Sequence, residues 1–499
     1  MDSDEFRRRG KEMIDAIADY HDSIRDRRPL ADVTPGYLQE LLPRVAPEQP
    51  EQWDDVFKDI ERAIMPGVTH WHHPQFHAYY PAGFSYPSLL GEMLCDAIGC
   101  VGFSWIASPA CTELETIVLD WLGKALGLPE AFLTNESDAS GKPQCGGGVI
   151  QGSASEALLV GVLAARTRSV KKLQEKDPSL SVQQAMDKLI AYASDHVHSA
   201  FQKGGLLAGV RTRTLPTDDE FSLRGDSLKQ AIEEDIKAGF VPCFVCATLG
   251  TTSFCSFDNL PEIGPICQEN DVWLHIDAAY AGGALICPEF RHFGNGIEFA
   301  DSFNFNAHKW FLTNFDCSCM WVKNRAPLIT AMSPITTPAF LRNAASETGL
   351  VTDYMHWEIP LGRRFRSLKL WFVLRLFGIT GIQNHIRKHI ELAKRFESYM
   401  KNDNRFRIVG KRHLGLVCFQ LKAGDDELNR KLLKQLNASG KLHLVSTELE
   451  GKAVLRFVIC SAQTEEKDVD FSWQVISQTT TAILSRKKKE DEGLSKQHQ

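Results

Sequence analysis

The spacing of apolar residues divides the chain into segments of different texture. Up to about residue 85, apolar positions recur at helical intervals, which predicts an N-terminal helical segment. Over residues 86–378, short runs rich in Val, Ile, Phe and Cys alternate with longer helical patterns, which is typical of βαβ units around a parallel sheet. The clearest predicted strands in this part are residues 191–196, 244–249, 272–277 and 302–308.

The pattern changes again after about residue 378. Residues 379–485 combine the helical "IRKHIELAKRFESYMKN" with the strand-like "LGLVCFQL" and "AVLRFVIC", which predicts a small α+β domain. Residues 486–499 are charged and poor in apolar residues, so we predict a disordered tail. The fold predicted is therefore α/β, with a mostly parallel central sheet and helices on both faces. A helical N-terminal dimerisation segment (1–85) and the α+β C-terminal domain flank this large domain.

Composition narrows the class of protein. Of the 499 residues, 43% are apolar and 24% charged, as in globular proteins with a sizeable core. The net charge of −7 makes nucleic acid an unfavourable partner. The first residues, "MDSDEFRRRG", carry no apolar signal core, and no apolar run suggests a membrane span. The thirteen cysteines lie scattered through apolar segments, which predicts reduced thiols and a cytoplasmic location.

Two groups of cysteine or histidine residues could be interpreted as metal sites, but neither has a complete ligand set. Cys243 and Cys246 form a C-x-x-C, but no second pair follows at metal spacing, so two buried thiols in a strand are favoured. The stretch "HWHHPQFH" (residues 70–77) holds several histidines, with no nearby cysteine or carboxylate to complete a ligand set. We therefore predict no metal site.

Three motifs fall where strands of an open α/β sheet end, which is where such sheets bind ligands. In "GGGVIQGSASEALLVGVLAAR", glycines and a short strand lead to small hydroxyl residues that open a helix, a site suited to phosphate. In "VWLHIDAAYAGG", an apolar run ends abruptly in Asp277, and a buried carboxylate needs a partner. In "SFNFNAHKW", Lys309 follows a buried-looking strand among aromatic residues, where desolvation favours Schiff-base chemistry.

Alone, each motif has an ordinary structural explanation: a helix cap, a turn aspartate and a surface lysine. Together they supply a phosphate anchor, an acid and an amine. Pyridoxal 5'-phosphate (PLP) requires these three groups, because the acid keeps its pyridine nitrogen protonated and the amine holds its aldehyde. We therefore predict a PLP enzyme.

The chain resembles the aromatic-L-amino-acid decarboxylases, which are group II, fold-type I PLP enzymes. The likeness runs over about residues 1–485 and rests on the segments "FHAYYP", "GFSWIASPACTELE", "QGSASEA", "HIDAAYAG", "FNFNAHKW" and "IPLGRRFRSLK". It implies decarboxylation of an aromatic L-amino acid by a homodimer that shares its active sites between subunits.

The resemblance also implies roles for individual residues. Lys309 matches the Schiff-base lysine, Asp277 the partner of the pyridinium, and His198 the histidine stacked on the cofactor ring. The other cofactor-binding positions it implies are Ser153, Ala154, Ser155, Thr252, Ala279, Asn306 and His308. The substrate-binding positions are Tyr79, Tyr80, Ala82, Val101, Phe103, His198 and Gly362. Histidine-specific relatives carry a serine where Gly362 stands, so histidine is the less favoured substrate.

The chain departs from this family at Phe340, in the stretch "SPITTPAFLRNAASETGL". Counting back from "ETGLVTDYMHW", Phe340 falls where amine-forming members carry a loop tyrosine. After loss of CO2, a phenol can deliver a proton to the Cα carbanion, and phenylalanine has no O–H to donate. Plant aromatic acetaldehyde synthases carry the same change, so we predict an aldehyde product, with O2 as a second substrate. Insect aldehyde synthases usually replace the stacking histidine, whereas His198 is kept here.

The sequence leaves several alternatives open. Water, Lys309 or His198 can supply the proton in place of the missing phenol, which gives ordinary amine formation. Phe84, in "PAGFSYP", departs from the smaller polar residues of relatives and can alter the substrate pocket. A cofactor-binding paralogue without turnover releases no CO2, and an aminotransferase transfers the amino group to a keto acid without CO2 release.

Overall fold

The computed structural model of the chain describes residues 1–134, 145–333, 341, 344–347, 351–422 and 426–497, of which residues 491–497 are described by backbone alone. Its helices are α1 Ser3–Asp22, α2 Tyr37–Leu41, α3 Trp53–Asp59, α4 Tyr86–Ile98, α5 Pro109–Leu126, α6 Ala154–Lys176, α7 Val182–Met186, α8 Ala200–Ala208, α9 Gly225–Lys237, α10 Leu260–Glu269, α11 Ala307–Trp310, α12 Ala326–Met332, α13 Ala344–Glu347, α14 Ser367–Lys401, α15 Asp426–Ala438 and α16 Glu466–Gln497. Its strands are β1 Gly147–Gln151, β2 Leu189–Ser194, β3 Arg211–Leu215, β4 Val241–Thr248, β5 Trp273–Asp277, β6 Ser302–Asn306, β7 Ser318–Val322, β8 Phe406–Ile408, β9 Leu416–Leu421, β10 Val445–Leu449 and β11 Lys452–Val458.

The chain divides into two compact units. Unit 1 comprises Met1–Pro81, Glu391–Val409 and Gly415–Gln499, and unit 2 comprises Ala82–Ile390 and Gly410–Leu414. Unit 1 thus contains both the N-terminal helices and most of the C-terminal α+β region. The division into a separate appendage and C-terminal domain stays a prediction.

Unit 2 is built around a seven-stranded sheet in the order β1-β7-β6-β5-β4-β2-β3. Among the strands that the structure describes in this sheet, β7 alone runs antiparallel to its neighbours. The central strands β4, β5 and β6 are almost wholly buried because helices cover both faces of the sheet. The predicted α/β fold with a mostly parallel central sheet is confirmed.

Unit 1 contains an antiparallel sheet in the order β10-β11-β9-β8. Helices α15 and α16 pack on it over a core that includes Phe396, Phe419 and Phe457. N-terminal residues are tied into this unit, for example by the ion pair of 3.0 Å between Arg25 and Asp468. Both strand-like segments predicted after residue 410 are strands, β9 and β11.

One boundary differs from the sequence pattern. Helix α16 continues to Gln497, past residue 486, where the sequence predicts a disordered tail. The residues from 486 onward include strong helix formers such as Lys and Glu, so their low apolar content does not oppose a helix. Helix α14 is interrupted at Gly378, whose φ of 64° suits glycine, close to the predicted domain boundary.

Several of the residues considered as metal ligands are buried in the fold. Cys243 and Cys246 are fully buried on β4, and their odd spacing points them to opposite faces of the sheet. His77 is also buried, with its ring nitrogens 2.9 Å from the Val458 carbonyl and from Ser472 Oγ. Over the described residues, no group of three or more His, Cys, Asp or Glu side chains could hold a metal ion. Among the described helices, none combines the length and apolarity needed to cross a bilayer.

Candidate active site

Polar side chains gather at the carboxyl edge of the seven-stranded sheet. Asp277 closes β5, pairs in register with Thr248 of β4, and is only 5% exposed. Its Oδ1 accepts a hydrogen bond of 3.0 Å from the Ala279 N–H, and the Ala279 carbonyl accepts one of 3.0 Å from the Asn306 N–H. These two hydrogen bonds join the ends of β5 and β6, so Asp277, Ala279 and Asn306 are close neighbours.

Lys309 lies in the short helix α11, which begins directly after β6. Its neighbours His308 and Trp310 are buried, and Lys309 itself is half-buried. Trp310 stacks on Tyr280 at 4.7 Å and donates from Nε1 to His389 Nδ1 at 3.0 Å. These two contacts fix Trp310, the residue after Lys309, and thereby hold the turn that contains Lys309.

His198 follows β2 and is electrostatically linked to both charged groups. Burial lowers the pKa of His198, the charge of Lys309 lowers it further, and the charge of Asp277 opposes the shift. The Nδ1 atom of His198 accepts the Ala200 N–H at 3.1 Å, so the ring is fixed as well as neutral near pH 7. The structure thus brings together Lys309, Asp277 and His198 from three separate segments.

His308 is the second histidine of the site. Burial, and then the charge of Lys309, lower the pKa of His308 to about 3. Its Nδ1 accepts the Cys317 N–H at 2.8 Å, so the Nε2 atom carries the proton of the neutral ring. A neutral imidazole with one N–H available is a hydrogen-bond donor for an anion.

The predicted phosphate site is the capped N-terminus of α6. Ser153 Oγ accepts the Glu156 N–H at 3.2 Å, and Glu156 Oε2 accepts the Gly152 N–H at 3.0 Å. The N–H groups of Ala154 and Ser155, in the first turn, have no partner within the helix and suit an anion. The segment 152–155, hereafter called the phosphate cup after its predicted role, forms this helix N-terminus, and its binding of phosphate stays a prediction.

A PLP molecule fits the groups that this edge of the sheet presents. Lys309 supplies the amine, Asp277 the carboxylate and His198 a flat neutral ring. The polar atoms that are buried without a hydrogen-bond partner in the described part of the chain include several at this edge of the sheet, among them Ser194 Oγ, Thr248 Oγ1, Asn306 Oδ1 and Ser318 Oγ. Buried polar atoms in such a position are expected to bind a ligand or water.

A second group of predicted residues forms a wall near Gly362. A Cβ atom built on Gly362 would lie 3.8 Å from Val101 Cγ1, so a larger side chain there would contact Val101. The Met355 N–H donates to the Phe103 carbonyl at 2.8 Å, which ties the two segments together. Val101, Phe103 and Gly362, predicted separately from the sequence, are therefore neighbours.

Ala82 is held beside α11 through the next residue. The Gly83 N–H donates to the His308 carbonyl at 2.6 Å, and a Cβ atom at Gly83 would lie 2.4 Å from the Thr313 carbonyl oxygen. Only glycine allows this approach. Phe84 points its ring edge-on to Tyr86, at 5.6 Å between centroids.

Four predicted residues are not part of this arrangement as described. Tyr79 and Tyr80 belong to unit 1, where Tyr79 stacks on Trp71 at 5.1 Å and Tyr80 lies under Arg456 at 5.3 Å. Thr252 is exposed in the loop after β4. Phe340 lies outside the described residues.

Two ion pairs beside the site were not predicted from the sequence. Arg366 pairs with Asp316 at 3.2 Å, and both approach the position of a Cβ atom at Gly152. Arg363 forms a buried pair of 2.7 Å with Glu115. The arginine-rich "PLGRRFRS" and the glutamate within the apolar run of α5 are the signals that could have indicated them.

Comparisons with known proteins agree with this geometry. Residues 35–422 match the family described as "Pyridoxal-dependent decarboxylase conserved domain". The aromatic-L-amino-acid decarboxylase of Mus musculus is 56% identical, over 98% of this chain and 100% of its own length. The crystal structure of Oryza sativa TDC with PLP and tryptamine matches with a TM-score of 0.91 at 38% identity, over 97% of this chain and 99% of that chain. The crystal structure of Rhodiola rosea 4-hydroxyphenylacetaldehyde synthase matches with a TM-score of 0.88 at 38% identity, over the same shares of the two chains.

Proposed function

Because the chain belongs to the pyridoxal-dependent decarboxylase family, we propose that it converts an aromatic L-amino acid into the aryl acetaldehyde. At the coarser level the protein is a PLP-dependent carboxy-lyase that decarboxylates aromatic amino acids. The observation that supports this chemistry most directly is the convergence of Lys309, Asp277 and His198 at one edge of the sheet.

The proposed roles of the residues follow from their chemistry. Bound PLP supplies an electron sink that allows the bond between Cα and the carboxylate to break. Lys309 would hold the aldehyde, Asp277 would keep the ring nitrogen protonated, and the neutral ring of His198 would lie against the cofactor. The remaining proposed cofactor contacts are Ser153, Ala154, Ser155, Thr252, Ala279, Asn306 and His308.

The proposed substrate is an aromatic amino acid of the Dopa, tyrosine, phenylalanine or tryptophan class. The absent side chain of Gly362 leaves space beside Val101, which suits a flat ring. Phe103 and Ala82 complete the proposed pocket within unit 2, and Tyr79 and Tyr80 stay substrate-binding residues implied by the family resemblance alone.

The aldehyde product is proposed on account of Phe340. A carbanion at Cα needs a proton to become an amine, and Phe340 offers no O–H where a tyrosine would. Reaction with O2 then competes. The balanced reaction consumes the amino acid, O2 and water, and yields the aryl acetaldehyde, CO2, NH3 and H2O2. The Rhodiola rosea relative, 4-hydroxyphenylacetaldehyde synthase by name, shares the fold at 38% identity and supports the proposal.

The test compares products with O2 uptake. For L-tyrosine, L-Dopa, L-phenylalanine and L-tryptophan, we expect one O2 consumed and one H2O2 formed per CO2. Phe340→Tyr should shift the product toward amine and suppress O2 uptake. Phe471→Tyr adds a phenol on α16 at a half-exposed position and serves as the matched control.

Stoichiometric amine without O2 uptake would refute the aldehyde proposal. It would support ordinary decarboxylation to the aryl amine, which the 56% identity to an aromatic-L-amino-acid decarboxylase favours as the second candidate. An unchanged product ratio in Phe340→Tyr would show that the missing phenol does not control the outcome.

We also propose that the enzyme acts as a homodimer in the cytoplasm. On α4, the side chains of Tyr86, Leu90, Leu94 and Ile98 recur every four residues and are each more than 40% exposed. Such an apolar stripe on one helix face favours a partner surface. All thirteen cysteines are free thiols, which suits a reducing compartment.

A further inference from the structure

Arg363 lies at the centre of a buried cluster, and no part of its side chain is exposed. Glu115 accepts from both terminal nitrogens of the guanidinium, with distances of 2.7 Å from Nη2 to Oε1 and 3.1 Å from Nη1 to Oε2. Glu358 Oε1 lies 2.7 Å from Nε. The ring of Tyr354 covers one face of the guanidinium at 4.5 Å. The planar fork of arginine allows it to bind both carboxylate oxygens of Glu115 at once, which the single ammonium of lysine cannot do in the same geometry.

This cluster takes the place of a neighbouring strand at the edge of the sheet. Strand β1 is an edge strand, so alternate backbone groups on its outer side have no strand partner. The Ile150 N–H donates to Glu115 Oε1 at 2.8 Å, and the Ile150 carbonyl accepts from Arg363 Nη2 at 3.3 Å. Tyr354 also donates its hydroxyl to the Gly148 carbonyl at 3.1 Å. The phosphate cup begins at Gly152, directly after β1, so the cluster fixes where the cup lies.

Arg363 also contacts the segment that forms the wall of the proposed substrate pocket. Its carbonyl accepts the Gly102 N–H at 3.1 Å, and Gly102 lies between Val101 and Phe103. Gly362 is the preceding residue in the chain. The cup and the pocket wall are therefore both connected to Arg363 by hydrogen bonds or by the chain itself.

We propose that Arg363 is a positioning residue that holds the phosphate cup and the pocket wall at one fixed separation. PLP and the aromatic substrate can then bind in the geometry that the reaction needs. This inference rests on the proposed cofactor and substrate sites. Neither Arg363 nor Glu115 is proposed to touch the reacting atoms. Loss of Arg363 should therefore weaken the binding of PLP and substrate more than it lowers kcat of the bound complex.

The test replaces the fork while keeping the charge. Arg363→Lys should raise the dissociation constant for PLP by about ten-fold or more, which is the effect expected from losing a charge-assisted hydrogen bond. Titration of the apoenzyme with PLP, followed by tryptophan fluorescence, measures this without turnover. The KM for the aromatic amino acid should also rise, while kcat at saturating PLP stays within about three-fold.

A second variant and a control separate positioning from general destabilisation. Glu115→Gln keeps an acceptor for the Ile150 N–H but loses the charge, and it should weaken PLP binding in the same direction. Arg168→Lys alters an ion pair of 3.1 Å with Asp301. Asp301 directly precedes β6 and so lies at the amino end of that strand, away from the carboxyl ends, and this variant should leave PLP affinity unchanged.

Unchanged PLP affinity and KM in both Arg363→Lys and Glu115→Gln would overturn the inference. An equal loss in Arg168→Lys would overturn it as well, because the effect would then be a general loss of stability. If PLP affinity falls as expected in an enzyme that makes amine instead of aldehyde, the inference stands and only the proposed product fails.

Discussion

The protonation state of His198 shows how single residues are set by their surroundings. Burial is the largest influence on its pKa and lowers it, and the nearby charge of Lys309 acts in the same direction. Asp277 opposes both, but the net shift is downward. The imidazole is therefore neutral near pH 7 and suited to lie against an aromatic ring.

Lys309 is expected to be indispensable. Lys309→Ala removes the amine proposed to hold PLP, and CO2 release should fall by roughly three orders of magnitude or more. Reduction of the wild-type holoenzyme with borohydride should leave the cofactor on Lys309, as read by peptide mass spectrometry. Lys323→Ala, on the residue after β7, is the control. Substantial CO2 release by Lys309→Ala would contradict the assignment.

At the scale of elements, Arg363 pairs with two buried carboxylates, that of Glu115 on α5 and that of Glu358 in the segment 354–363. Burial raises the pKa of Glu358 to about 7, although Arg363 partly opposes the shift. The folded protein thus favours the protonated form of Glu358 more than the unfolded chain does. The resulting stability is fully present below about pH 4.5 and is lost as the pH rises through about 7.

Glu358→Gln should remove this loss. The variant cannot ionise at residue 358, so its stability relative to wild type should improve between pH 5 and pH 8, by up to about 3 kcal/mol. Thermal unfolding midpoints of the two apoenzymes at several pH values measure the difference. Glu289→Gln is the control, because pairing with Arg387 lowers the pKa of Glu289, so this carboxyl is ionised in both the folded and the unfolded chain over this pH range and the difference from wild type should stay constant. A constant difference for Glu358→Gln across this pH range would contradict the raised pKa.

At the scale of the whole molecule, the exposed apolar stripe on α4 lies close in the chain to Val101. Its other face carries Gly91, where a Cβ atom would lie 2.7 Å from Lys369 Cα, so α4 is closely packed on α14. The stripe cannot turn inward without loss of this packing. A second copy of the chain is the partner proposed to cover it.

Ile98→Glu should therefore disrupt the dimer. A charge at a buried interface position is unfavourable by several kcal/mol, so the variant should elute as a monomer in size-exclusion chromatography with light scattering. PLP-dependent CO2 release should fall with it. Leu206→Glu, on the exposed end of α8, is the control and should leave the dimer intact. A dimeric Ile98→Glu variant with normal activity would argue against this interface.

Much of the sheet and part of the site could be predicted because they depend on local patterns. Apolar runs that stop at Asp277 and Asn306 indicate buried strands, and a strand end in a parallel sheet is where ligands bind. The small residues 152–155 before an apolar helical pattern indicate a helix N-terminus. The tail was predicted less well, since low apolar content opposes burial but does not oppose a helix.

The sequence by itself therefore indicated the central strands β2, β4, β5 and β6, and it predicted the phosphate cup and the three residues whose chemistry indicates PLP. Only the tertiary structure decided that Val101 faces Gly362, and that Arg363 joins Glu115 to the edge of β1. Those contacts connect residues far apart in the chain, and a contact between distant segments leaves no periodicity in either one. Buried ion pairs are set by which side chains meet when the sheet and helices pack, and that is a property of the folded chain.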